Sequence, residues 1–289
     1  MVLVDNYGRP LLNLRMAVTR RCNLRCQFCH REGEEDRIED FADEMTVDEI
    51  VRIAKVAANI GISRIKLTGG EPLMRKDIVE IVKGIASTPR ITDLSMTTNG
   101  TMLSFLADEL HASGLERLNI SVPTLEGEVY SKLTGGRLED ALAGVNAAVE
   151  AGFSPVKINM LILKGVNDNV VPEMVEFASG NGAVLQLIEL EPVNIDDSYY
   201  HLNHKPLDEY EVMLKQKAVS VETRRFMQSR RVYHLPDVTV ETVHPIENTE
   251  FCKNCTRLRV TSDGKLKPCI MKNDNLVDIR EAIRNGADD

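Results

Sequence analysis

Short apolar, β-branched runs alternate with amphipathic helical stretches from residue 12 to about residue 190. Six of these runs are predicted strands, at residues 12–19, 64–67, 93–97, 117–121, 156–163 and 184–189. The predicted helices between them cover residues 46–59, 78–86, 103–112, 138–151 and 171–179. Strands that alternate with helices form a mainly parallel sheet with right-handed crossovers. Since six β/α units are fewer than the eight of a closed barrel, we predict an α/β fold built as an incomplete, TIM-like (β/α)6 barrel.

The regular alternation ends after about residue 192. We predict a loop over residues 196–204, a helix over residues 207–217 and a strand-containing region that continues to residue 251. The sequence therefore predicts two regions, a barrel in residues 1–192 and a C-terminal region in residues 193–289. Because the active sites of β/α barrels lie at the carboxyl ends of the strands, functional side chains are expected in the loops that follow them.

The net charge and the cysteines indicate which classes of protein this sequence is typical of. The formal net charge of the 289 residues is −9, and residues 31–44 include eight acidic and two basic ones, a composition that predicts a solvated loop. An acidic chain is not typical of a nucleic-acid-binding surface. The first ten residues lack the basic and apolar segments of a signal peptide, and no apolar run is long enough to span a membrane. We therefore expect a cytoplasmic protein whose cysteines bind metal rather than form disulfides.

The first of two cysteine triads follows the first predicted strand. Cys22, Cys26 and Cys29, the N-terminal triad, are spaced Cys-x3-Cys-x2-Cys. Three thiolates this close in sequence can bind three irons of a [4Fe–4S] cluster and leave the fourth iron open to bind a reactant. A structural zinc site is the alternative. Zinc needs four ligands, however, and His30 lies too close to Cys29 in sequence to be a comfortable fourth.

The second triad lies near the end of the chain and is spaced Cys-x2-Cys-x13-Cys. This C-terminal triad consists of Cys252, Cys255 and Cys269. It again predicts a [4Fe–4S] cluster with an open iron. The alternative is a Cys3His zinc site that uses His234 or His244 as its fourth ligand.

Two arginines follow the second cysteine of the C-terminal triad, in the segment Cys255-Thr-Arg-Leu-Arg259. Residues two apart in an extended segment point the same way, so Arg257 and Arg259 should project together. Paired planar guanidiniums suit bidentate binding of phosphate oxygens or of a purine edge. A surface pair of salt bridges is the alternative.

With its N-terminal triad and the turn Thr68-Gly-Gly-Glu-Pro72 after the second predicted strand, the sequence resembles the radical S-adenosylmethionine (SAM) enzymes. Two glycines let the backbone approach a ligand closely, and Glu71 can orient that backbone. In these enzymes the amino and carboxylate groups of SAM chelate the open iron. The resemblance implies SAM contacts from residues in these two motifs and at the end of the fourth strand, namely Phe28, Gly69, Gly70, Glu71 and Ser121.

Both triads, the Gly-Gly-Glu-Pro turn and the Thr-Arg-Leu-Arg segment together resemble one family of radical SAM enzymes, the GTP 3′,8-cyclases of molybdenum-cofactor (molybdopterin) biosynthesis. The resemblance covers nearly the whole chain. It implies two [4Fe–4S] clusters as cofactors beside SAM, and catalytic roles for the N-terminal triad, Arg257 and Arg259. The residues that it implies as GTP contacts are Arg15, Lys66, Thr97, Lys157, Arg257, Leu258 and Arg259.

The reaction implied by this resemblance is that of a radical SAM lyase. A reduced N-terminal cluster cleaves SAM to a 5′-deoxyadenosyl radical, which takes a hydrogen atom from C3′ of GTP. The carbon radical then attacks C8 of guanine to give (8S)-3′,8-cyclo-7,8-dihydroguanosine 5′-triphosphate. The implied partners are a reductant such as a ferredoxin or flavodoxin and, by pathway, a cyclic pyranopterin monophosphate synthase; a homodimer is left open. The alternatives are a peptide-modifying radical SAM enzyme and a non-catalytic iron–sulfur or zinc protein.

Several positions depart from the family pattern. Gln186 stands where bacterial members usually have Arg on the sixth strand, Glu191 where they have Met, and Pro123 where they have Asp. Family members commonly end in a Gly-Gly tail that enters the active site, whereas the last residues here are Asn285-Gly-Ala-Asp-Asp289. We therefore expect a weakened phosphate contact at Gln186, and either a protein that uses no such tail or a chain that has been shortened.

Overall fold

The structure is a computed structural model that describes residues 3–34, 44–246 and 248–286. Its strands form one twelve-stranded mixed sheet. They are β1 (Asn13–Ala17), β2 (Arg64–Thr68), β3 (Asp93–Thr98), β4 (Arg117–Ser121), β5 (Val156–Leu161), β6 (Val184–Ile188), β7 (Ser220–Arg224), β8 (Arg230–His234), β9 (Thr239–Val243), β10 (Arg257–Val260), β11 (Lys265–Lys267) and β12 (Val277–Asp278).

Helices follow most of the strands of the first half. They are α1 (Val47–Asn59), α2 (Ile78–Ala86), α3 (Leu103–Ala112), α4 (Gly127–Thr134), α5 (Leu138–Glu150), α6 (Val171–Gly180), α7 (Asp197–Asn203), α8 (Asp208–Lys217), α9 (Thr249–Lys253) and α10 (Ile279–Arg284). At the start of α1 the Thr46 side chain accepts a hydrogen bond from the Glu49 backbone N–H, and the Glu49 carboxylate accepts one from Thr46 N. This reciprocal capping box satisfies two amides that the first turn leaves unpaired.

The six predicted barrel strands are all present, adjacent in chain order and parallel to one another. Strands from the C-terminal region extend this parallel sheet on both sides, since β10 pairs with β1 and β9 pairs with β6. Antiparallel strands then cover the edges, β11 and β12 beside β10, and β8 and β7 beside β9. The predicted incomplete α/β barrel is confirmed, and its sheet runs without interruption into the region beyond residue 192. The division at residue 192 itself stays a prediction.

Alternation along each strand separates the core from the interior of the barrel. On β1, Leu14 and Met16 are buried in the hydrophobic core, and Arg15 between them faces the other side. On β2, Ile65 and Leu67 likewise flank Lys66. Because successive side chains of a strand point to opposite faces, these apolar residues pack into the core while Arg15 and Lys66 face a cavity.

Four helices of the described residues were not expected from the sequence, namely α4, α7, α9 and α10. The prediction of a loop over residues 196–204 is wrong, because α7 occupies Asp197–Asn203. Asp196 caps this helix by accepting hydrogen bonds from the backbone N–H groups of Ser198 and Tyr199, as short polar residues do at helix starts. Helix α4 has no counterpart in the prediction either; it ends at Gly135, whose φ of +76° suits glycine.

The acidic stretch is not simply a solvated loop. Glu32 and Glu34 are buried, and both bind arginines. The prediction is therefore wrong for these residues, because each carboxylate has a fixed cationic partner; residues 35–43 lie outside the described part of the chain. In that described part, no helix is long and apolar enough to cross a membrane.

Candidate functional site

One cavity of about 500 Å³ lies on the polar face of the barrel sheet. Residues from β1 to β6 and from β8 to β10 line it, so the sheet curves around it. Of the site residues predicted from the sequence, those lining it are Arg15, Cys22, Cys26, Phe28, Cys29, Lys66, Gly69, Gly70, Glu71, Thr97, Ser121, Lys157 and Arg257. The predicted residues that do not line it are Leu258, Arg259, Cys252, Cys255 and Cys269.

The N-terminal triad occupies the loop that follows β1. The backbone N–H of Leu24 donates to Cys22 Sγ at 3.4 Å, and Asn99 Nδ2 lies 4.0 Å from the same sulfur. Donors of this kind favour the thiolate, which is the form that binds metal. Within the described residues, no three His, Cys, Asp or Glu side chains gather as ligands of a single metal ion. Thiolates that bind three separate irons need no such convergence on one atom.

The two glycines of the Gly-Gly-Glu-Pro turn bring it against the cysteine loop. A Cβ on Gly70 would lie 2.2 Å from the carbonyl oxygen of Arg21, and one on Gly69 would lie 2.3 Å from that of Thr19. Backbone hydrogen bonds join the two loops, from Gly70 N to Thr19 O and from Glu71 N to Arg21 O, each 2.7 Å long. The close approach expected at these glycines is thus an approach to the chain itself, and their contact with SAM stays a prediction.

Glu71 forms hydrogen bonds to the loop that follows β3. Its carboxylate accepts hydrogen bonds from the backbone N–H groups of Leu73 and Asn99 and from the Thr98 hydroxyl, at 2.6 to 3.1 Å. Burial raises the pKa of Glu71 to about 7, against the opposing effect of these hydrogen bonds. The interpretation that Glu71 orients backbone therefore agrees with its contacts, which hold the loops after β2 and β3 together.

Cations from successive strands cross the floor of the cavity. Arg15 on β1 and Lys66 on β2 are register partners, and Lys66 Nζ donates to Asn119 Oδ1 at 2.5 Å. Burial, followed by the charges of Arg15 and other nearby cations, holds the pKa of Lys66 well below its usual range. On β5, Lys157 pairs with Glu241 at 2.5 Å. Burial lowers the Lys157 pKa to about 8 in spite of this pair. These positive charges crowd one another, and an anion would relieve them.

Glu32 is the buried counter-ion of Arg15 and of Arg259. Its carboxylate accepts hydrogen bonds from Arg15 Nη1 at 3.3 Å and from Arg259 Nη1 at 2.5 Å. Burial alone would raise the pKa of Glu32, but the two guanidiniums outweigh it and lower the pKa to about 2. Sequence reasoning assigned Glu32 to a solvated loop. Its partner on β10 is 227 residues away, so no local signal marks the pair.

The two arginines of β10 differ in their contacts. Arg257 lines the cavity, and its guanidinium makes no hydrogen bond or ion pair with any residue that the structure describes. Burial and then the charge of Arg15 hold its pKa well below its usual range. Arg259 instead donates a hydrogen bond to Glu32, and the Leu258 side chain packs against the hydrophobic core. Of the three predicted GTP contacts on β10, Arg257 is therefore the one whose side chain reaches the cavity in the free protein.

The C-terminal triad lies just outside the cavity wall. Phe251, Thr256 and Arg257, next to its cysteines in sequence, line the cavity. Gln228 Nε2 lies 3.8 Å from Cys255 Sγ. Burial and the neighbouring thiols Cys269 and Cys255 raise the pKa of Cys252.

Neither histidine of the zinc alternative is free to join this triad. His244 lies between Glu211 and Glu189, 3.0 and 3.4 Å from their oxygens, and His234 contacts Thr239 and Glu222. Burial alone would lower the pKa of His244, but its two carboxylates raise it to about 9. A protonated imidazole has no lone pair for a metal.

The two triads lie near opposite ends of two neighbouring strands, β1 and β10. Cys22 follows the carboxyl end of β1, and Cys255 precedes the amino end of β10, which pairs with β1 in parallel. From Asn13 to Ala17, β1 spans about 13 Å at about 3.3 Å per residue. Arg15 lies at the middle of that span. The cavity is therefore thiol-bearing at one end, cationic along its floor and close to a second thiol group at the other end.

The positions that depart from the family pattern also line the cavity, as do several residues that sequence reasoning missed. Gln186, Glu191 and Pro123 all contribute to the lining. Phe28 packs in part against a small apolar cluster of Leu133, Leu163 and Leu190. Of the missed residues, Glu32 and Arg230 line the cavity, whereas Glu241 does not line it but binds Arg230 and Lys157.

Comparison with known proteins finds two family profiles that match successive parts of the chain. The family profile described as "Radical SAM superfamily" matches residues 16–178, and the one described as "Molybdenum Cofactor Synthesis C" matches residues 183–289. A "Probable GTP 3′,8-cyclase" of Methanothermobacter marburgensis is 48% identical over 288 residues, which is 99% of this chain and 93% of that protein. One of Thermococcus kodakarensis is 46% identical over 295 residues, 100% of this chain and 94% of that protein.

Solved structures share the fold at low sequence identity. Streptococcus suis SuiB bound to the precursor peptide SuiA is 19% identical with a TM-score of 0.69, and the match covers 96% of this chain. The chain spans 65% of the length of that protein. Native anSMEcpe with bound AdoMet is 16% identical with a TM-score of 0.61, covering 92% of this chain and 77% of the other. At this level of identity the likeness concerns the fold alone.

Proposed function

Because the chain belongs to the radical SAM superfamily and, within it, to the GTP 3′,8-cyclase family, we propose that it converts GTP to (8S)-3′,8-cyclo-7,8-dihydroguanosine 5′-triphosphate, the first step of molybdenum-cofactor biosynthesis. The observation that carries the proposal is the meeting of three cysteine thiols and several cationic side chains in one cavity. A metal cluster needs the former and a nucleoside triphosphate needs the latter. The combination suits no peptide substrate in particular.

The donor set fits the cofactors of this family. The N-terminal triad would hold a [4Fe–4S] cluster through three thiolates, and the Gly-Gly-Glu-Pro turn beside it would meet SAM. When bound, the reduced cluster and SAM supply the radical that starts the reaction. The chain itself contributes a rigid pair of loops, because the turn is hydrogen-bonded to the cysteine loop and Glu71 ties it to the loop after β3. The C-terminal triad would hold a second [4Fe–4S] cluster.

The cations of the barrel floor have a function in this proposal. Arg15, Lys66 and Lys157 line the cavity, and two of them share carboxylates that are also bound to other arginines. Buried positive charge without full compensation is costly in a free protein. The triphosphate of GTP would compensate it and would be fixed against the strands by charge-assisted hydrogen bonds. The residues thus position the ribose and base rather than react with them.

The opposite placement of the two triads supports a defined orientation of the substrate. We propose that the guanine end lies toward the C-terminal triad and Arg257, with the ribose toward the N-terminal triad. Such an arrangement keeps the reacting carbon close to the source of the radical. The electron is proposed to come from a ferredoxin or flavodoxin in the cytoplasm, and the product to pass to a cyclic pyranopterin monophosphate synthase.

Anaerobic reconstitution tests this proposal. The purified chain should take up about eight irons, two clusters of four. It should release 5′-deoxyadenosine from SAM in the presence of GTP and dithionite, with little release when GTP is omitted or replaced by ATP. Deoxyadenosine release that is the same with and without GTP would contradict the assignment of GTP as substrate. An iron content near four with zinc present would contradict the second cluster alone.

A further inference from the structure

Arg230, at the first position of β8, is a buried cation that the predicted site did not include. It is 8% exposed and lines the cavity. Its Nη1 lies 3.3 Å from Glu241 Oε2. Its Nε–H is buried and has no hydrogen-bond partner among the residues that the structure describes. An N–H group in this position costs free energy unless a ligand accepts from it.

Glu241, the partner of Arg230, cannot neutralise this region by itself. Its carboxylate accepts hydrogen bonds from Lys157 at 2.5 Å, Arg224 at 3.0 Å and Arg230 at 3.3 Å. Gln186 Nε2 adds a fourth donor at 2.7 Å. Three positive charges therefore share this carboxylate, and of the three only Arg224 has a second one nearby among the described residues, that of Glu222 at 3.2 Å. The carboxylate fixes the position of the guanidinium but leaves net positive charge facing the cavity.

At this end of the cavity the positive charge comes from Arg230 on β8 and not from β6, which carries Gln186. Gln186 on β6 is the register partner of Glu241 on β9, and its amide holds that carboxylate in place. The sixth strand thus supplies an amide in this chain. The guanidinium at this end of the floor comes from β8, two strands further along the sheet.

The neighbours of Arg230 favour a phosphate as the ligand. Lys157 binds the same carboxylate as Arg230, that of Glu241. Burial, followed by the charges of Arg15, Arg117, Lys157 and Arg230, lowers the pKa of Lys66. These cations are therefore close enough to interact with one ligand group. Such a density of cations suits a group with several negative charges better than it suits a neutral base. A guanidinium can also give two parallel hydrogen bonds to phosphate oxygens.

We infer that Arg230, held by Glu241, is a further substrate-binding residue of this cavity, and that its Nε–H donates to a phosphate oxygen of the nucleoside triphosphate. The inference rests on the function proposed above and adds a contact on β8 to it. In this arrangement Arg230 provides the cation that the glutamine at position 186 does not.

The test compares the binding of GTP with that of guanosine, which has no phosphate. Equilibrium dialysis of the anaerobically reconstituted protein measures both affinities in the parent and in Arg230→Met. The variant should bind GTP about ten- to a hundredfold more weakly, the loss expected for one charge-assisted hydrogen bond. Its affinity for guanosine should equal that of the parent. Arg224→Met is the matched control, because Arg224 binds the same carboxylate but does not line the cavity.

A rescue experiment separates binding from support of the fold. In the double variant Gln186→Arg, Arg230→Met, a guanidinium returns from β6 and GTP affinity should recover by at least about tenfold. If Arg230→Met fails to take up iron, Arg230→Lys replaces it in the test. Lysine keeps the charge but lacks the planar fork of the guanidinium. Arg230→Lys should therefore lower the affinity for GTP about tenfold and leave the affinity for guanosine unchanged.

Three outcomes would overturn the inference. Unchanged GTP affinity in Arg230→Met would show that no phosphate meets this side chain. Equal losses for GTP and guanosine would show a structural role. Failure of the parent itself to bind GTP would refute the proposed function, and this is visible before any variant is made.

Discussion

Replacing Glu32 with Gln should destabilise the free protein by about 3 kcal/mol at neutral pH. Burial alone would raise the pKa of Glu32, but Arg15 and Arg259 outweigh it, so that the pKa falls from its ordinary value of 4.5 to about 2. A shift of this size corresponds to about 3 kcal/mol, since one pKa unit is worth about 1.4 kcal/mol. Gln keeps the size of the side chain but lacks the charge, so both guanidiniums lose their buried counter-ion.

The pH dependence of this loss follows from the direction of the shift. Because the pKa of Glu32 is lower in the folded than in the unfolded state, its stabilisation is fully present above pH 4.5 and is lost as the pH falls toward 2. The difference in free energy of unfolding between parent and variant should therefore be constant above about pH 5 and shrink by about 1.4 kcal/mol per pH unit below about 4.5. Urea unfolding of the reduced apoprotein at several pH values between 3 and 7 measures this difference.

Glu139→Gln is the control for Glu32→Gln, since this glutamate is 70% exposed and its oxygen lies 3.7 Å from Arg137 Nε. It should change the free energy of unfolding by less than about 0.5 kcal/mol. If Glu32→Gln were as stable as the parent at pH 7, the buried pairing would contribute nothing. A large but pH-independent difference would refute the electrostatic explanation and point to packing.

The remaining predictions concern the two triads, β10 and the glycine turn. Cys26→Ser should abolish SAM cleavage and lower the iron content by about four per chain, as measured by iron assay and deoxyadenosine release. Cys255→Ser should also lose about four irons but keep SAM binding; zinc at this triad after anaerobic purification would contradict that. Arg257→Ala should weaken GTP binding about ten- to a hundredfold at full iron content, and Arg257→Lys should recover only part of it, as measured by dialysis. Gly70→Ala should impair iron retention, because its Cβ would lie 2.2 Å from a backbone oxygen of the cysteine loop, whereas Gly127→Ala meets no atom within 4 Å.

The barrel strands and both triads can be predicted from the sequence because their signals are local. Alternation of apolar and polar residues marks each strand, and the cysteines lie within a few residues of one another. The inward position of Arg15 and Lys66 follows from the same alternation, since each lies between two core residues of its strand.

The partners of these cations could not be predicted in the same way. Glu32 lies in an acidic run and looks like part of a solvated loop, yet it is buried against Arg259 from the other end of the chain. Arg230 and Glu241 lie on strands of the C-terminal region, where no motif marks either residue. Charge compensation in a barrel joins residues from distant strands, and local periodicity carries no information about such pairs.

The pairing of β1 with β10 has a consequence for how the protein is made. One edge of β1 can bind β2 soon after synthesis begins, but its other edge waits for Arg257–Val260. At about 5–20 residues per second, the ribosome needs on the order of tens of seconds to synthesise the chain between them. During that time β1 presents unpaired backbone groups of the kind that promote aggregation. Truncated chains that end before β10 should therefore be recognised by chaperones and should not retain iron, even though they contain the whole N-terminal triad.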